Sequence, residues 1–193
     1  MVRPREFDEG QVLEAAVRRF RRHGVARTSI RDLETATGLT NGSIYNSFGG
    51  KDGLLAAALA HYAGIGAERR RAHFERTPGI QGLETLFVSL LDAPDCDTSG
   101  CLITNVAVEL GGDPGRPEVA GEMAALTAEF RRQLERDLAA DRVEAAAARL
   151  LMLYQGLLVL IRARHPRAAC ETAIADEFRA LRDLATRECD ART

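Results

Sequence analysis

The segment TSIRDLETATGLTNGSIYNSFGGK, residues 28–51, decides the fold of this 193-residue chain. It holds two short stretches with a helical spacing of apolar residues, each preceded by a threonine and followed by glycine. Thr28 is predicted to cap the first helix, Gly38 to end it, and Thr40 to cap the second. Two short helices joined by a turn at a glycine form a helix-turn-helix, whose second helix lies on the outside.

The second of these helices is polar where it is predicted to face outward. Asn41, Ser43 and Asn46 carry small side chains that can bond base edges or phosphates. Gly42 removes a side chain, so the helix can approach a groove wall closely. Because Asn, Gly and Ser are poor helix formers, a requirement other than helicity explains their presence here.

The whole chain is predicted to be all-α, because Val and Ile are scarce and no alternating strand pattern occurs. The remaining segments with glycine or proline, 93–100 and 111–117, are predicted loops. The predicted helices cover residues 8–23, 29–37, 40–47, 51–75, 81–91, 101–110, 117–139, 142–164 and 171–187.

Composition indicates a soluble cytoplasmic protein with 46% apolar and 28% charged residues. The N-terminus has no apolar run of the kind found in a signal peptide. The most apolar segment, 145–161, contains Arg149 and Gln155 and is shorter than the roughly 20 apolar residues of a membrane span. We therefore expect no membrane partner. Four sparse cysteines fit a reducing compartment.

Charge divides the chain into two predicted domains, residues 1–52 and 53–193. The first carries nine Arg or Lys against seven Asp or Glu, net +2, and the second carries 17 against 21, net −4. A polyanionic partner would therefore meet the N-terminal part. We expect a helix-turn-helix DNA-binding domain followed by a helical domain for ligand binding and dimerisation.

Residues 28–59 resemble the DNA-binding domain of TetR-family transcriptional regulators. The shared pattern is a threonine opening the second helix, glycine at the turn and in the recognition helix, and then Tyr45, Phe48, Lys51 and Leu54. The all-helical remainder, at this length, also fits that family. The resemblance implies a repressor that binds double-stranded operator DNA and is released by a small-molecule inducer.

The same resemblance implies residue roles on the DNA. Those expected to contact phosphate are Thr28, Thr40, Tyr45 and Lys51, and those expected to face bases are Asn41, Ser43 and Asn46. One position departs from the family pattern, since Glu34 stands where a small apolar residue is common. Because a buried, unpaired carboxylate is costly, we expect Glu34 to tilt to solvent or to meet an arginine.

Lys51 is the only lysine among the 26 basic residues of the chain. A cation at the start of a helix opposes the helix dipole, so its position needs a reason. A DNA phosphate would supply one, because it can bond the ammonium group and the free backbone N–H groups together. The alternative is a solvated lysine after a turn.

A second, shorter resemblance lies in SGCLITNVAVELGGDPGRPEV, residues 99–119, which is similar to a subgroup with a Gly-Cys-Leu-x-x-Asn segment. That subgroup includes electrophile-responsive repressors. Cys101 follows Gly100 and opens a predicted helix, where free N–H groups favour a thiolate. Two interpretations stay open for this thiol: a sensor that releases DNA, or a small apolar core residue.

An inducer pocket is expected among the C-terminal helices. Polar side chains in apolar helices need partners, which favours Asn105 and Gln155 as ligand contacts. Thr104 and Tyr154 are further candidates, whereas the aromatic residues Phe74, Phe87 and Phe130 are expected to be mostly ordinary core.

A homodimer is predicted through the last two helices. Apolar residues between Leu150 and Ile161 cover more than one face of their helix. The final helix adds Ile174, Phe178, Leu181 and Leu184 at helical spacing, which suggests a four-helix interface. Two recognition helices would then read an approximately palindromic site.

Two other function classes are weaker. A cysteine-dependent enzyme would need a base near Cys101, and no catalytic pattern, cofactor motif or metal-ligand spacing identifies one. We therefore predict no enzyme activity, catalytic residue, cofactor or metal. A purely architectural DNA-binding protein would not need so large an apolar C-terminal region.

Overall fold

A computed structural model describes residues 7–92, 99–110 and 116–190, with side chains up to Arg187. Within these ranges the chain forms helices and no strand. The helices are α1 Glu9–His23, α2 Ile30–Thr37, α3 Asn41–Phe48, α4 Lys51–Arg76, α5 Gly79–Leu90, α6 Leu102–Glu109, α7 Pro117–Leu134, α8 Ala140–Arg162 and α9 Arg167–Asp190.

The all-α prediction is confirmed, and most predicted helix ends lie within two or three residues of the observed ones. Two differ more: α7 ends at Leu134 instead of residue 139, and α9 begins at Arg167 instead of residue 171. Arg167 is held at this start by Glu171 in the next turn, at 2.7 Å, and by Asp92, at 3.0 Å. Cys96 and most of the two predicted loops lie outside the described residues.

The chain separates into two compact units. The first contains the chain up to Gly66 and also the segment Cys101–Ala120, and the second contains Ala67–Gly100 and the chain from Gly121 onward. These units differ from the predicted division after residue 52, because α6 and the part of α4 up to Gly66 group with the helix-turn-helix. The functional division into domains stays a prediction.

In the first unit, α1 packs against α2 and α6, and α2 packs against α3. Asp8 accepts a hydrogen bond from the backbone N–H of Gln11 and so caps α1. Apolar side chains supply the core because each helix buries one face. The most deeply buried are Ala16, Phe20, Leu33, Ile44, Leu54, Leu55, Ala58, Leu59, Leu102 and Val106.

In the second unit, α5, α8 and α9 pack on one another around an aromatic cluster. The ring of Phe87 lies 5.3 Å from Phe178, 5.6 Å from Tyr154 and 5.7 Å from Phe130 between centroids. Phe87, Phe130 and Phe178 are fully buried, so the expectation of ordinary core for Phe87 and Phe130 is confirmed. Such pairs add to the free energy of burial.

By length and composition alone, α8 could cross a membrane. However, Arg149 on this helix pairs with Glu177 of α9 at 3.1 Å. Leu150 and Leu157 are buried in the core of the second unit. Through these contacts α8 packs as one helix of the bundle in the second unit.

The first turn of α4 lies directly against the last residue of α3. A Cβ atom at Gly53 would stand 1.6 Å from the carbonyl oxygen of Phe48, so only glycine fits. Gly64, farther along the same helix, has no atom within 4 Å of such a Cβ position.

We predict that Gly53→Ala lowers the free energy of unfolding by about 1–3 kcal/mol or more, because the methyl group must push α3 and α4 apart. Gly64→Ala is the matched control, and it should stabilise by roughly 0.5–1 kcal/mol through helix propensity. Thermal unfolding of both variants measures the difference. Equal stability of the two variants would show that a methyl group at residue 53 can be accommodated without a clash with Phe48.

Candidate nucleic-acid interface

The turn between α2 and α3 is built by one glycine and one threonine. Gly38 adopts a left-handed conformation at φ 73° and donates its N–H to the carbonyl oxygen of Glu34. Thr40 then caps α3, because its Oγ1 accepts the N–H of Ser43 at 3.2 Å. The cap predicted at Thr40 is confirmed, and it fixes where the recognition helix begins.

Five of the predicted DNA-contacting residues are exposed on or beside α3. They are Thr40, Asn41, Gly42, Tyr45 and Asn46. Ile44 is fully buried, which anchors the helix and leaves the polar residues facing away from the core. Ser43 is half-buried, and its hydroxyl lies 3.0 Å from Thr40 Oγ1, so it supports the cap as well as the surface.

Glu34 has a different role from the two that were expected. Its Oε1 accepts the backbone N–H of Asn41 at 2.6 Å, so the carboxylate neither meets an arginine nor simply tilts to solvent. A carboxylate at a helix N-terminus is favourable because it accepts hydrogen bonds from N–H groups that have no acceptor within the helix, and because its charge interacts favourably with the helix dipole. Glu34 therefore ties α2 to the first residue of α3.

The cap of α2 was predicted at Thr28, and this was wrong by one residue. Ser29 is the N-cap, and it forms a capping box in which its backbone N–H donates to Asp32 at 2.9 Å while Asp32's N–H donates to Ser29 Oγ at 3.2 Å. Thr28 is fully buried, and its hydroxyl donates to the carbonyl of Gly24 at 2.6 Å. The hydroxyl of Thr28 is therefore used inside the protein.

The bonds from Ser29 also affect the charge beside it. The backbone N–H of Ser29, then its hydroxyl, and the nearby Arg19 and His23 charges hold the pKa of the Asp32 carboxyl below its usual range. Arg19 pairs with Asp32 at 3.0 Å, and Arg21 lies 5.8 Å over the ring of Tyr62. Part of the basic end of α1 thus serves packing.

Tyr45 lies beside Gly50, the residue that precedes Lys51. The Tyr45 side chain is 55% exposed, and a Cβ at Gly50 would stand 3.1 Å from its ring. Lys51 is the first residue of α4 and is half-buried. Among the residues that the structure describes, no carboxylate is within ion-pair distance of Lys51, whereas its neighbour Asp52 pairs with Arg116 at 3.0 Å.

The sequence and the fold of this chain are similar to those of known proteins. The model of bacterial regulatory proteins of the tetR family matches residues 12–58. The transcriptional repressor Rv1474c of Mycobacterium tuberculosis is 32% identical over 155 residues, which span 77% of this chain and 79% of that repressor. The chain belongs to the TetR family of transcriptional regulators.

Two further matches extend this TetR-family assignment. The transcriptional repressor ComR of Escherichia coli strain K12 is 30% identical over 143 residues, 70% of this chain and 66% of ComR. A solved structure of CifR, a TetR-family regulator with substituted cysteines in complex with 26-bp operator DNA, is 30% identical with a TM-score of 0.80. That match covers 92% of this chain and 99% of the CifR chain.

The predicted ligand contacts of this regulator fall in both compact units. Cys101 is the N-cap residue of α6 and is half-buried, and on the same helix Thr104 is buried and Asn105 half-buried. In the second unit Tyr154 packs in the aromatic cluster, and Gln155 is half-buried on α8. Among the described residues, no group of three or more His, Cys, Asp or Glu side chains is arranged to hold a metal ion.

Sequence reasoning gave Glu34 a wrong role and did not single out Glu109 or Arg116, two further side chains bonded to the helix-turn-helix. The carboxylate of Glu109 accepts hydrogen bonds from two backbone N–H groups that lie 83 and 84 residues away in the sequence. No local pattern reports such a contact. The capping box was readable, since serine followed three residues later by an acidic residue before an apolar run is its usual pattern.

Proposed function

We propose that this TetR-family regulator is a repressor that binds a palindromic operator as a homodimer in the cytoplasm. The exposed polar surface of α3 carries the proposal, together with Lys51, which has no ion-pair partner within the described part of the chain. The two curated relatives are named repressors, and the similar CifR structure contains operator DNA. No membrane partner is needed for this activity.

The proposal includes two classes of contact. Lys51, Tyr45 and Thr40 would contact phosphates, and Asn41 and Asn46 would contact base edges; the exposure of Tyr45, Thr40, Asn41 and Asn46 supports this assignment. Phosphate contacts fix position and supply salt-dependent affinity, and base contacts supply sequence preference. Thr28 would contribute through packing, because its hydroxyl is buried.

In the first test, wild-type protein selects its operator sequence from a random DNA library, and the variants are then compared on that operator. We predict that Lys51→Ala weakens binding to all sequences alike and reduces the log–log salt slope by about one unit. Asn46→Ala is the matched comparison, and it should change the selected sequence more than the salt slope. Unchanged affinity and slope in Lys51→Ala would contradict a phosphate contact.

The homodimer rests on an exposed apolar stripe along α8. Met152 is 67% exposed, Val159 47% and Leu160 37%, and they recur at helical spacing with the exposed Gly156 between them. An apolar stripe of this kind is typical of a surface that another subunit covers. A second copy of α8 is the partner that we propose.

The contribution of α9 differs from the sequence prediction. Ile174, Phe178 and Leu181 are buried in the core of their own second unit, so they are not available to a partner subunit. Any contribution of α9 to the interface comes from its opposite, exposed face, which carries residues such as Ala173 and Ala180.

We predict that wild-type protein sediments as a dimer at micromolar concentration and that Met152→Arg with Val159→Arg sediments as a monomer, because an unpaired charge would be buried at the interface. The control is Val88→Arg on α5, which replaces another exposed apolar residue of the same unit. A monomeric wild type would overturn the proposal.

Release by a small-molecule inducer is the regulation that we propose. The candidate contacts are Thr104 and Asn105 on α6 of the first unit or, as a separate site, Tyr154 and Gln155 on α8 of the second, since each places a polar group on a largely apolar helix. A compound that lowers operator affinity in wild type and not in a Gln155→Leu variant would support this assignment.

A second mode of regulation is thiol sensing by Cys101. The thiol of Cys101 is half-buried at the N-cap of α6, whereas Cys170 is 2% exposed. The similar CifR protein was solved with substituted cysteines. Exposure distinguishes Cys101 from Cys170.

We predict that N-ethylmaleimide lowers operator affinity of wild type and of Cys170→Ser, but not of Cys101→Ser, because the added thioether would displace the start of α6. Fluorescence anisotropy with labelled operator measures the change. If Cys101→Ser loses affinity as wild type does, Cys101 is not the sensor, and a reversible inducer remains the explanation.

A further inference from the structure

The last residue of α6 is bonded to the turn that precedes the helix-turn-helix. The carboxylate of Glu109 accepts the backbone N–H of Val25 at 2.8 Å and of Ala26 at 2.6 Å. Gly24 makes room for it, because a Cβ there would stand 2.9 Å from Glu109 Oε2. These N–H groups lie between α1 and α2 and have no intrahelical acceptor, so the carboxylate supplies their partner.

Seven residues farther along the chain, Arg116 forms a further bond to the helix-turn-helix. Its Nη2 lies 3.0 Å from Oδ1 of Asp52, the residue after Lys51. The Arg116 side chain is 17% exposed, whereas Asp52 is 82% exposed, so the guanidinium is the fixed partner. This bond holds the start of α4, immediately after the recognition helix.

Glu109 and Arg116, with these partners, form what we call the α6 clamp. Its three hydrogen bonds hold the turn before α2 and the start of α4. Bonds between a charged group and a fixed partner are directional, unlike apolar packing, so they determine the position of these segments. Leu102 and Val106, which lie seven and three residues before Glu109 and so on the same side of α6, are buried in the core of the same unit.

We propose that Glu109 and Arg116 are positioning residues for operator binding: the α6 clamp holds the helix-turn-helix in the geometry that reads DNA. This inference rests on the proposed function, and neither residue needs to touch DNA. A change in the position of α6 would then change operator affinity through the clamp.

The test exploits the sign of the charge changes. Glu109→Gln and Asp52→Asn each remove a negative charge, which by general electrostatics should strengthen binding to DNA. If the clamp positions the reading helix, each variant instead weakens binding to the selected operator, by about tenfold for Glu109→Gln, which loses a charged acceptor of two bonds. Binding to unrelated DNA should not fall.

The matched control is Glu14→Gln, which makes the same charge change at an exposed position of α1. It should bind the operator as tightly as wild type or more tightly. Arg116→Gln should weaken operator binding as Asp52→Asn does, although the two variants change the charge in opposite directions. Circular dichroism checks that each variant is folded.

A measurement on wild type does not depend on variants that fold. Because coupling is reciprocal, operator binding should strengthen the clamp and slow hydrogen exchange at the Val25 and Ala26 amides. Equal exchange with and without operator, or operator affinity in folded Glu109→Gln at or above the wild-type level, would overturn the clamp alone. Failure of wild type to select any DNA would instead overturn the proposed function, and the clamp with it.

Discussion

The burial of Ile44 is the constraint on which the DNA-reading surface depends. Helix α3 has eight residues, several of them poor helix formers, and would not be stable alone. Ile44 is fully buried, and the Thr40 and Gly49 caps satisfy the two ends of the helix. With the apolar side held in this way, the sequence of the outer side is free to serve recognition instead of stability.

Much of the first unit could be predicted because its signals are local. Glycine after each short helix and threonine before α3 mark boundaries that the structure reproduces. The cap of α2 was misplaced because Thr28 and Ser29 are chemically alike, and only burial and the Asp32 bond separate them. The end of α7 at Leu134 could not be predicted from the local sequence either. Asp137, just beyond that end, accepts a hydrogen bond from the backbone N–H of Ile80, which is distant in the sequence.

Apolar periodicity alone did not distinguish the two last helices. Both show stripes of leucine and other large residues, yet α9 turns its stripe into its own core while α8 leaves Met152 and Val159 exposed. The residues predicted to contact bases, and Lys51, could be identified from the local sequence pattern alone. The polar ties made by Glu34 and Glu109 required the folded chain, because their partners are backbone groups that every residue possesses.

The solitary lysine has a chemical consequence beyond its charge. Every other basic side chain that carries a fixed charge is arginine, which does not react with acyl donors or amine-directed labels under mild conditions. Lys51 is therefore the one side-chain primary amine of the protein, and it stands at the start of α4 beside the reading helix. Acylation of this amine would remove its positive charge, so a single covalent event would alter the surface offered to a polyanion.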